Sequence, residues 1–88
     1  MRGRKPLPVL IAPADVAVLR LIAGDRSLPV YQVHRAQIVL AIAAGERTRQ
    51  VALRIGCDEA TVWRTCRRYE HAGLSGLLAD RRYSGEAL

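Results

Sequence analysis

The feature that most constrains this chain is a glycine between two short segments with helical apolar spacing. Gly56 separates residues 48–55 from residues 58–72, and the small Ala52 precedes it by four positions. A glycine supplies left-handed backbone that a β-carbon would penalise, and a small side chain lets two steeply crossing helices approach closely. The inward positions of the two segments are Val51, Ala52, Ile55, Cys57 and Val62. This pattern predicts two packed helices joined by a tight turn, with Cys57 buried in it.

Side chains at the two helix starts support the same turn. Thr48 can cap a helix over residues 49–55, and Asp58 can cap a second helix over residues 59–72, where Glu59 suits the positive first turn. The inward stripe of the second helix consists of Val62, Thr65, Cys66 and Tyr69. These features are typical of a helix-turn-helix, whose second helix keeps one polar face free for the DNA major groove.

Two further helices precede this motif, and no alternating strand pattern of useful length is present. Apolar spacing predicts helices over about residues 14–23 and 30–44, the latter ended by Gly45. The helix over residues 30–44 is apolar on two sides, so we expect the first helix to cover one side and the two later helices the other. One stripe consists of Val33, Ala36, Leu40 and Ala43, and the other of Ile38 and Ile42. The fold class is therefore all-α.

The charge balance favours a polyanionic partner. The 88 residues include 14 Lys and Arg against 8 Asp and Glu, a net charge of +6, which suits nucleic acid or an anionic membrane. The longest uncharged stretches are about half the roughly 20 residues of a membrane span, so we expect no membrane partner. Two cysteines are too few for a disulfide framework. We therefore expect a cytoplasmic protein that is associated with the nucleoid through double-stranded DNA.

The outward face of the predicted second helix of the motif is cationic. At about 100° per residue, it contains Ala60, Arg64 and Arg67, flanked by Trp63 and Arg68. We assign Arg64 to bidentate hydrogen bonds with guanine O6 and N7. We assign Arg67 and Arg68 to DNA phosphates.

Four other candidate DNA contacts each have two interpretations. Trp63 packs against sugars or a thymine methyl group, or it folds back as a partly buried core residue. Glu59 accepts a hydrogen bond from a cytosine amine, or it only stabilises the helix dipole. Arg49 and Gln50 contact phosphates where their helix crosses the DNA backbone, or they are merely exposed.

The first thirteen residues are predicted to form a basic, proline-rich arm rather than a core element, because prolines favour extended backbone. Its cations are Arg2, Arg4 and Lys5. Residues 2–6 resemble the core of an AT-hook, whose arginines enter a narrow minor groove. The alternative is a basic tail that adds only nonspecific attraction. Residues 81–88 are predicted to be a tail or the start of a linker.

No catalytic or ligand site is apparent. The spacing of Cys57, Cys66 and His71 matches no common zinc motif, and His34 has no cysteine or nearby carboxylate that would suggest catalysis. The turn at residues 73–76 lacks the lysine of a phosphate loop. We therefore expect no metal, no cofactor and no small-molecule ligand.

Three segments resemble the amino-terminal DNA-binding region of IS630-type transposases, relatives of the Tc1/mariner group. They are residues 35–40 (RAQIVL), the helix pair through Gly56 with residues 61–62, and residues 67–78 (RRYEHAGLSGLL). The resemblance covers residues 1 to about 80. It implies a homeodomain-like trihelical helix-turn-helix, here over residues 14–80 with an additional N-terminal helix and a basic arm. It also implies that this domain recognises the terminal inverted repeats of an insertion sequence.

In that family a separate carboxy-terminal domain with an Asp-Asp-Glu (or Asp-Asp-Asp) metal site cuts and joins DNA. These residues contain no counterpart of it, so we expect this chain not to be an enzyme. The family's Gly-Arg-Pro-Arg-like linker is replaced here by RRYSGEAL at residues 81–88, so we do not assign minor-groove contact to that linker.

Two alternatives to the transposase interpretation stay open. A stand-alone transcriptional regulator with the same fold would bind an operator, as a homodimer on a palindrome. A protein-interaction adaptor would instead dock a partner helix through Leu53, Trp63 and residues 74–78, if these are exposed.

Overall fold

The computed structural model describes residues 9–79, which form four helices and no strand. They are α1 (Pro13–Ala23), α2 (Val30–Ala43), α3 (Thr48–Ile55) and α4 (Glu59–Leu78). The predicted all-α class is confirmed. Arg2, Arg4 and Lys5 of the predicted arm, and the tail at residues 81–88, lie outside the described residues. None of the four helices is both long enough and apolar enough to cross a membrane.

The central helix is α2, which packs against α1, α3 and α4. Both of its predicted stripes contribute to the core, as Ala36, Ile38 and Ile42 are buried. One assignment is wrong: Ala43 is exposed, because it lies in the last turn of α2, beyond the packed part of that side. Gly45 ends the helix as predicted, with its amide bonded to the carbonyl of Ile42.

The N-terminal segment before α1 is partly a core element, which corrects its assignment as an arm up to residue 13. Val9 is only 5% exposed and belongs to the core cluster. Extended backbone does not prevent an apolar side chain from packing. The hydroxyl of Tyr69 anchors the segment, since it accepts from the amide of Ala12 at 3.1 Å and donates to Oδ2 of Asp15 at 2.7 Å.

The last helix is bent at Gly73, where φ is 67° and ψ is −162°. Helical backbone therefore runs over residues 59–72, and a further helical turn follows the bend. We call residues 74–79 the C-terminal segment. Leu77 in this segment is fully buried and Leu74 and Leu78 are partly buried. The adaptor hypothesis is thus wrong about residues 74–78, because their leucines already pack on the core.

Side chains at the start of α2 hold the C-terminal segment in place. Arg35 Nη1 donates to the carbonyl oxygens of Leu77 and Ala79, both at 2.8 Å. Gln32 and the Tyr31 hydroxyl donate to the carbonyl of Leu78, at 3.0 and 3.2 Å. These bonds satisfy carbonyls that the end of a helix leaves without intrahelical partners.

Candidate nucleic-acid interface

The turn between α3 and α4 has the geometry that the sequence predicted. Gly56 adopts left-handed backbone, with φ 89° and ψ 34°, and the amide of Cys57 bonds to the carbonyl of Ala52 at 3.0 Å. Val51, Ala52 and Val62 are buried around it. Cys57 is only half-buried, which corrects its assignment as a buried residue, because the turn itself lies at the surface. The turn sets the angle at which α4 leaves α3.

Asp58 caps α4, as predicted. Its Oδ1 accepts a hydrogen bond from the amide of Thr61 at 2.8 Å. Hydrogen bonds from the side chain and from the backbone amide of Thr61 hold the pKa of Asp58 below its ordinary value. The ionised carboxylate therefore favours the folded state.

Acidification tests this cap. Because the pKa of Asp58 is lower in the folded chain, its contribution to stability is present above about pH 3.8 and is lost as the pH falls through the folded-state pKa. We expect Asp58→Ala to lower the unfolding midpoint at neutral pH. Asp58→Asn keeps a capping oxygen and should lose less stability on acidification than the wild type. Thermal unfolding followed across this pH range checks both, and equal acid sensitivity of Asp58→Asn and the wild type would contradict the assignment.

The predicted cap of α3 is wrong. Thr48 is the first residue of the helix, Arg47 occupies the cap position, and no side chain caps this end. Since the helix begins one residue earlier than expected, the Thr48 hydroxyl is free to donate to Glu59 Oε1, at 3.2 Å. This bond joins the amino-terminal ends of α3 and α4, and it gives the Glu59 carboxylate a partner within the protein.

The inward stripe of α4 is also as predicted, because Val62, Thr65, Cys66 and Tyr69 are all buried. The opposite side, which we call the outer face of α4, consists of Ala60, Trp63, Arg64, Arg67, Arg68 and His71. Its residues are exposed except for Arg67 and Arg68, which are partly buried. The outer face contains four basic or imidazole side chains, and the carboxylate of Glu70 lies beside it.

Arg64 and Arg68 lie on the side of the outer face that meets α2. They border a cavity of about 300 Å³ that is also lined by Tyr31, His34 and Arg35. The guanidinium of Arg64 has one long hydrogen bond, 3.3 Å to the hydroxyl of Thr61, and the residue is exposed. Arg64 can therefore reach outward from the helix at little energetic cost.

Trp63 and Arg67 lie on the other side of the outer face and contact each other. The guanidinium carbon of Arg67 is 5.3 Å from the centroid of the Trp63 ring, and Arg67 Nη2 lies 3.0 Å from Glu70 Oε1. Trp63 is 49% exposed, so it is a surface residue and not part of the core. Arg67 lies over one face of its ring.

The remaining candidates lie on α3. Arg49 and Gln50 are exposed in its first turn, next to the bond between Thr48 and Glu59 that joins the two helix starts. They therefore lie at the same end of the motif as Glu59 and Ala60. Leu53 is exposed as the adaptor hypothesis requires.

Two residues of this surface are absent from the sequence-based assignment. His71 lies one turn beyond Arg67 on the outer face and is exposed, which the helical count already indicated. Glu70 pairs with Arg67 at the i, i+3 spacing that brings helical side chains together. The i, i+3 spacing in the sequence could therefore have indicated that Glu70 pairs with Arg67.

The two thiols are poor metal ligands or nucleophiles. Burial raises the pKa of Cys66 to about 11, and burial with the nearby Asp58 raises that of Cys57. Both are free cysteines that stay protonated near neutral pH. Within residues 9–79, no group of three or more His, Cys, Asp or Glu side chains is placed to hold a metal ion.

The comparisons with known proteins agree with this architecture. A family model described as a homeodomain-like domain matches residues 31–78, which span α2, α3 and α4 with its C-terminal segment. No curated protein and no solved structure matches the chain. The matched residues include the Gly56 turn, the capped α4 and its basic outer face. This chain therefore belongs to the homeodomain-like family of helix-turn-helix DNA-binding domains.

Proposed function

We propose that this chain recognises specific double-stranded DNA through the outer face of α4, as the DNA-binding region of an IS630-type transposase that reads terminal inverted repeats. The observation that carries the DNA-reading role is the outer face itself. It is basic and exposed at Ala60, Trp63 and Arg64, and the neighbouring carboxylate of Glu70 is paired with Arg67. The helix that carries it is fixed by the Gly56 turn and the Asp58 cap. Such a helix has the shape and charge that a major groove accepts.

The transposase part of the proposal is supported by how the resembling segments meet. Residues 35–40 and the C-terminal segment are far apart in the sequence, yet Arg35 donates to the carbonyls of Leu77 and Ala79. The residues that carry the resemblance thus form one packed unit with the helix-turn-helix. The packing of these segments with one another supports the transposase interpretation more specifically than the turn at Gly56 does alone.

In this proposal the side chains divide between reading bases and holding the backbone. Arg64 reads guanine with two parallel hydrogen bonds. Arg68, beside the α2 cavity, and Arg49 with Gln50, at the start of α3, bind phosphates. Glu59 is already bonded to Thr48, which favours its helix-dipole role over contact with a cytosine amine.

Selection of bound duplexes from a random pool tests the proposed function. We expect one consensus, and its recurrence as inverted repeats at the ends of an insertion sequence would support the transposase role. A consensus that lies at promoters would instead support a transcriptional regulator. If about five phosphates are contacted, the logarithm of affinity should fall with a slope near −4.5 against the logarithm of salt concentration. Weak, salt-insensitive binding would overturn the proposal.

Arg64→Ala should relax base preference at one position of the selected site, because the bidentate contact is worth about 1–3 kcal/mol of discrimination. Arg68→Ala should weaken binding to all sequences alike. The matched control is Arg20→Ala, since Arg20 is exposed on α1 outside the matched residues and should leave preference unchanged. Competition binding with single-base variants of the consensus measures the effect. Unchanged preference of Arg64→Ala would remove this residue from base reading.

A further inference from the structure

Glu70, a carboxylate beside the outer face of α4, is engaged with one of the arginines of that face. Glu70 Oε1 lies 3.0 Å from Arg67 Nη2, and the two side chains are 33% and 31% exposed. The same guanidinium lies over the ring of Trp63. Arg67 is therefore held between an anion and an aromatic ring. Arg64 instead has a long hydrogen bond to Thr61 and a minor electrostatic interaction with Asp58.

The ion pair between Arg67 and Glu70 is weak enough for a DNA phosphate to compete with the carboxylate. An ion pair that is about one-third exposed contributes on the order of 0–1 kcal/mol, so a closely placed phosphate can displace the carboxylate. A loosely placed phosphate gains less from Arg67, because the bond to Glu70 must first be broken. Partial burial of the guanidinium also limits how far Arg67 reaches while it stays paired.

We propose that Glu70 is a specificity-determining residue that holds Arg67 against Trp63 and withholds it from DNA phosphates until α4 is closely seated in its groove. The inference rests on the proposed role of the outer face in DNA binding. Its consequence is selective: Glu70 lowers the affinity for random DNA more than the affinity for the cognate site. The ratio of the two affinities is therefore larger with Glu70 than without it.

The test compares Glu70→Gln with Glu46→Gln in the full 88-residue chain. Glu46 is a matched control, because it also forms an exposed ion pair, with Arg54 at 2.6 Å, and its removal changes the net charge equally. With short duplexes of random sequence, we expect Glu70→Gln to bind roughly two- to fivefold more tightly than the wild type. Its salt slope should be steeper by about 0.9, the value for one further phosphate contact. Glu46→Gln should show neither change.

A double-mutant cycle separates release of Arg67 from simple repulsion between Glu70 and DNA. In an Arg67→Gln background, adding Glu70→Gln should have no effect on binding. A gain that persists in that background would overturn the inference, and so would equal gains from Glu70→Gln and Glu46→Gln. If the affinity for the selected consensus rises as much as that for random DNA, the inference is also overturned.

Tryptophan fluorescence tests the position of Arg67 in the absence of DNA. Trp63 is the single tryptophan, so its fluorescence reports the position of Arg67. We expect the emission to change in Glu70→Gln and to stay unchanged in Glu46→Gln, with equal circular dichroism in all variants. Unchanged emission in Glu70→Gln would overturn the inference while leaving the proposed function intact. Absence of DNA binding by the wild type would overturn both.

Discussion

Replacing Leu77 by alanine is expected to destabilise the domain by about 2–5 kcal/mol, the range for a buried leucine that leaves a cavity. Leu77 is fully buried although it lies in the C-terminal segment, after the bend at Gly73. It packs there because Arg35 of α2 binds the Leu77 carbonyl and thereby fixes this turn against α2. A loss of this size is a large fraction of the roughly 5–15 kcal/mol that stabilises a small domain.

Chemical denaturation followed by circular dichroism measures the effect of Leu77→Ala. The matched control is Leu21→Ala on α1, since Leu21 is 74% exposed and its truncation should change the free energy of unfolding by less than about 0.5 kcal/mol. Equal effects of the two substitutions would show that the C-terminal segment is not part of the core in solution. Such a result would also support the adaptor hypothesis, in which residues 74–78 dock a partner helix.

Gly73→Ala is expected to have the second largest effect, at least about 1–3 kcal/mol. The φ of 67° and ψ of −162° at Gly73 lie in a region that is essentially restricted to glycine. An alanine can avoid the strain only if the helix continues straight. A straight helix would carry Leu77 away from the core and its carbonyl away from Arg35, so the cost approaches that of Leu77→Ala.

Gly24 provides the control for this prediction. It follows α1 with φ −107°, an ordinary value for any residue, and a β-carbon there would meet only a backbone oxygen at 3.9 Å. Gly24→Ala should therefore be neutral or slightly stabilising. If Gly73→Ala were as stable as Gly24→Ala, the bend would not exist as described. Urea unfolding of both variants gives the comparison.

Loss of the buried Leu77 side chain or of the bend at Gly73 should also affect DNA binding. The C-terminal segment packs on the core through Leu77, and Arg35, which holds this segment, borders the same cavity as Arg64 and Arg68. A displaced C-terminal segment would thus disturb the side of the outer face that meets α2. It would leave the start of α3, with Arg49 and Gln50, in place.

Features that depend on neighbouring residues were predictable from the sequence. The left-handed turn at Gly56 and the cap by Asp58 involve backbone within five residues. The inward stripe of α4 follows from helical periodicity alone, and therefore so does the basic outer face. The pairing of Arg67 with Glu70 belongs to the same class, because the two residues lie three positions apart on one helix.

Other contacts could not be predicted from local sequence, since they join residues that are distant in the chain. Tyr69 bonds to the amide of Ala12 across 57 positions, and this bond explains why the segment around Val9 joins the core although its prolines predict an arm. Arg35 bonds to Leu77 and Ala79 across 42 and 44 positions. No local propensity reports such contacts.

The helix-turn-helix and the residues that face outward from it can thus be derived from local sequence, because turn geometry and helical spacing are local properties. The joining of helix ends, as between Thr48 and Glu59, and the burial of apolar residues near the ends of the described segment depend on the packing of the whole domain. The physical reason is that these contacts depend on how helices α1 to α4 pack around α2. That packing is a collective result of all the buried side chains rather than of any one segment.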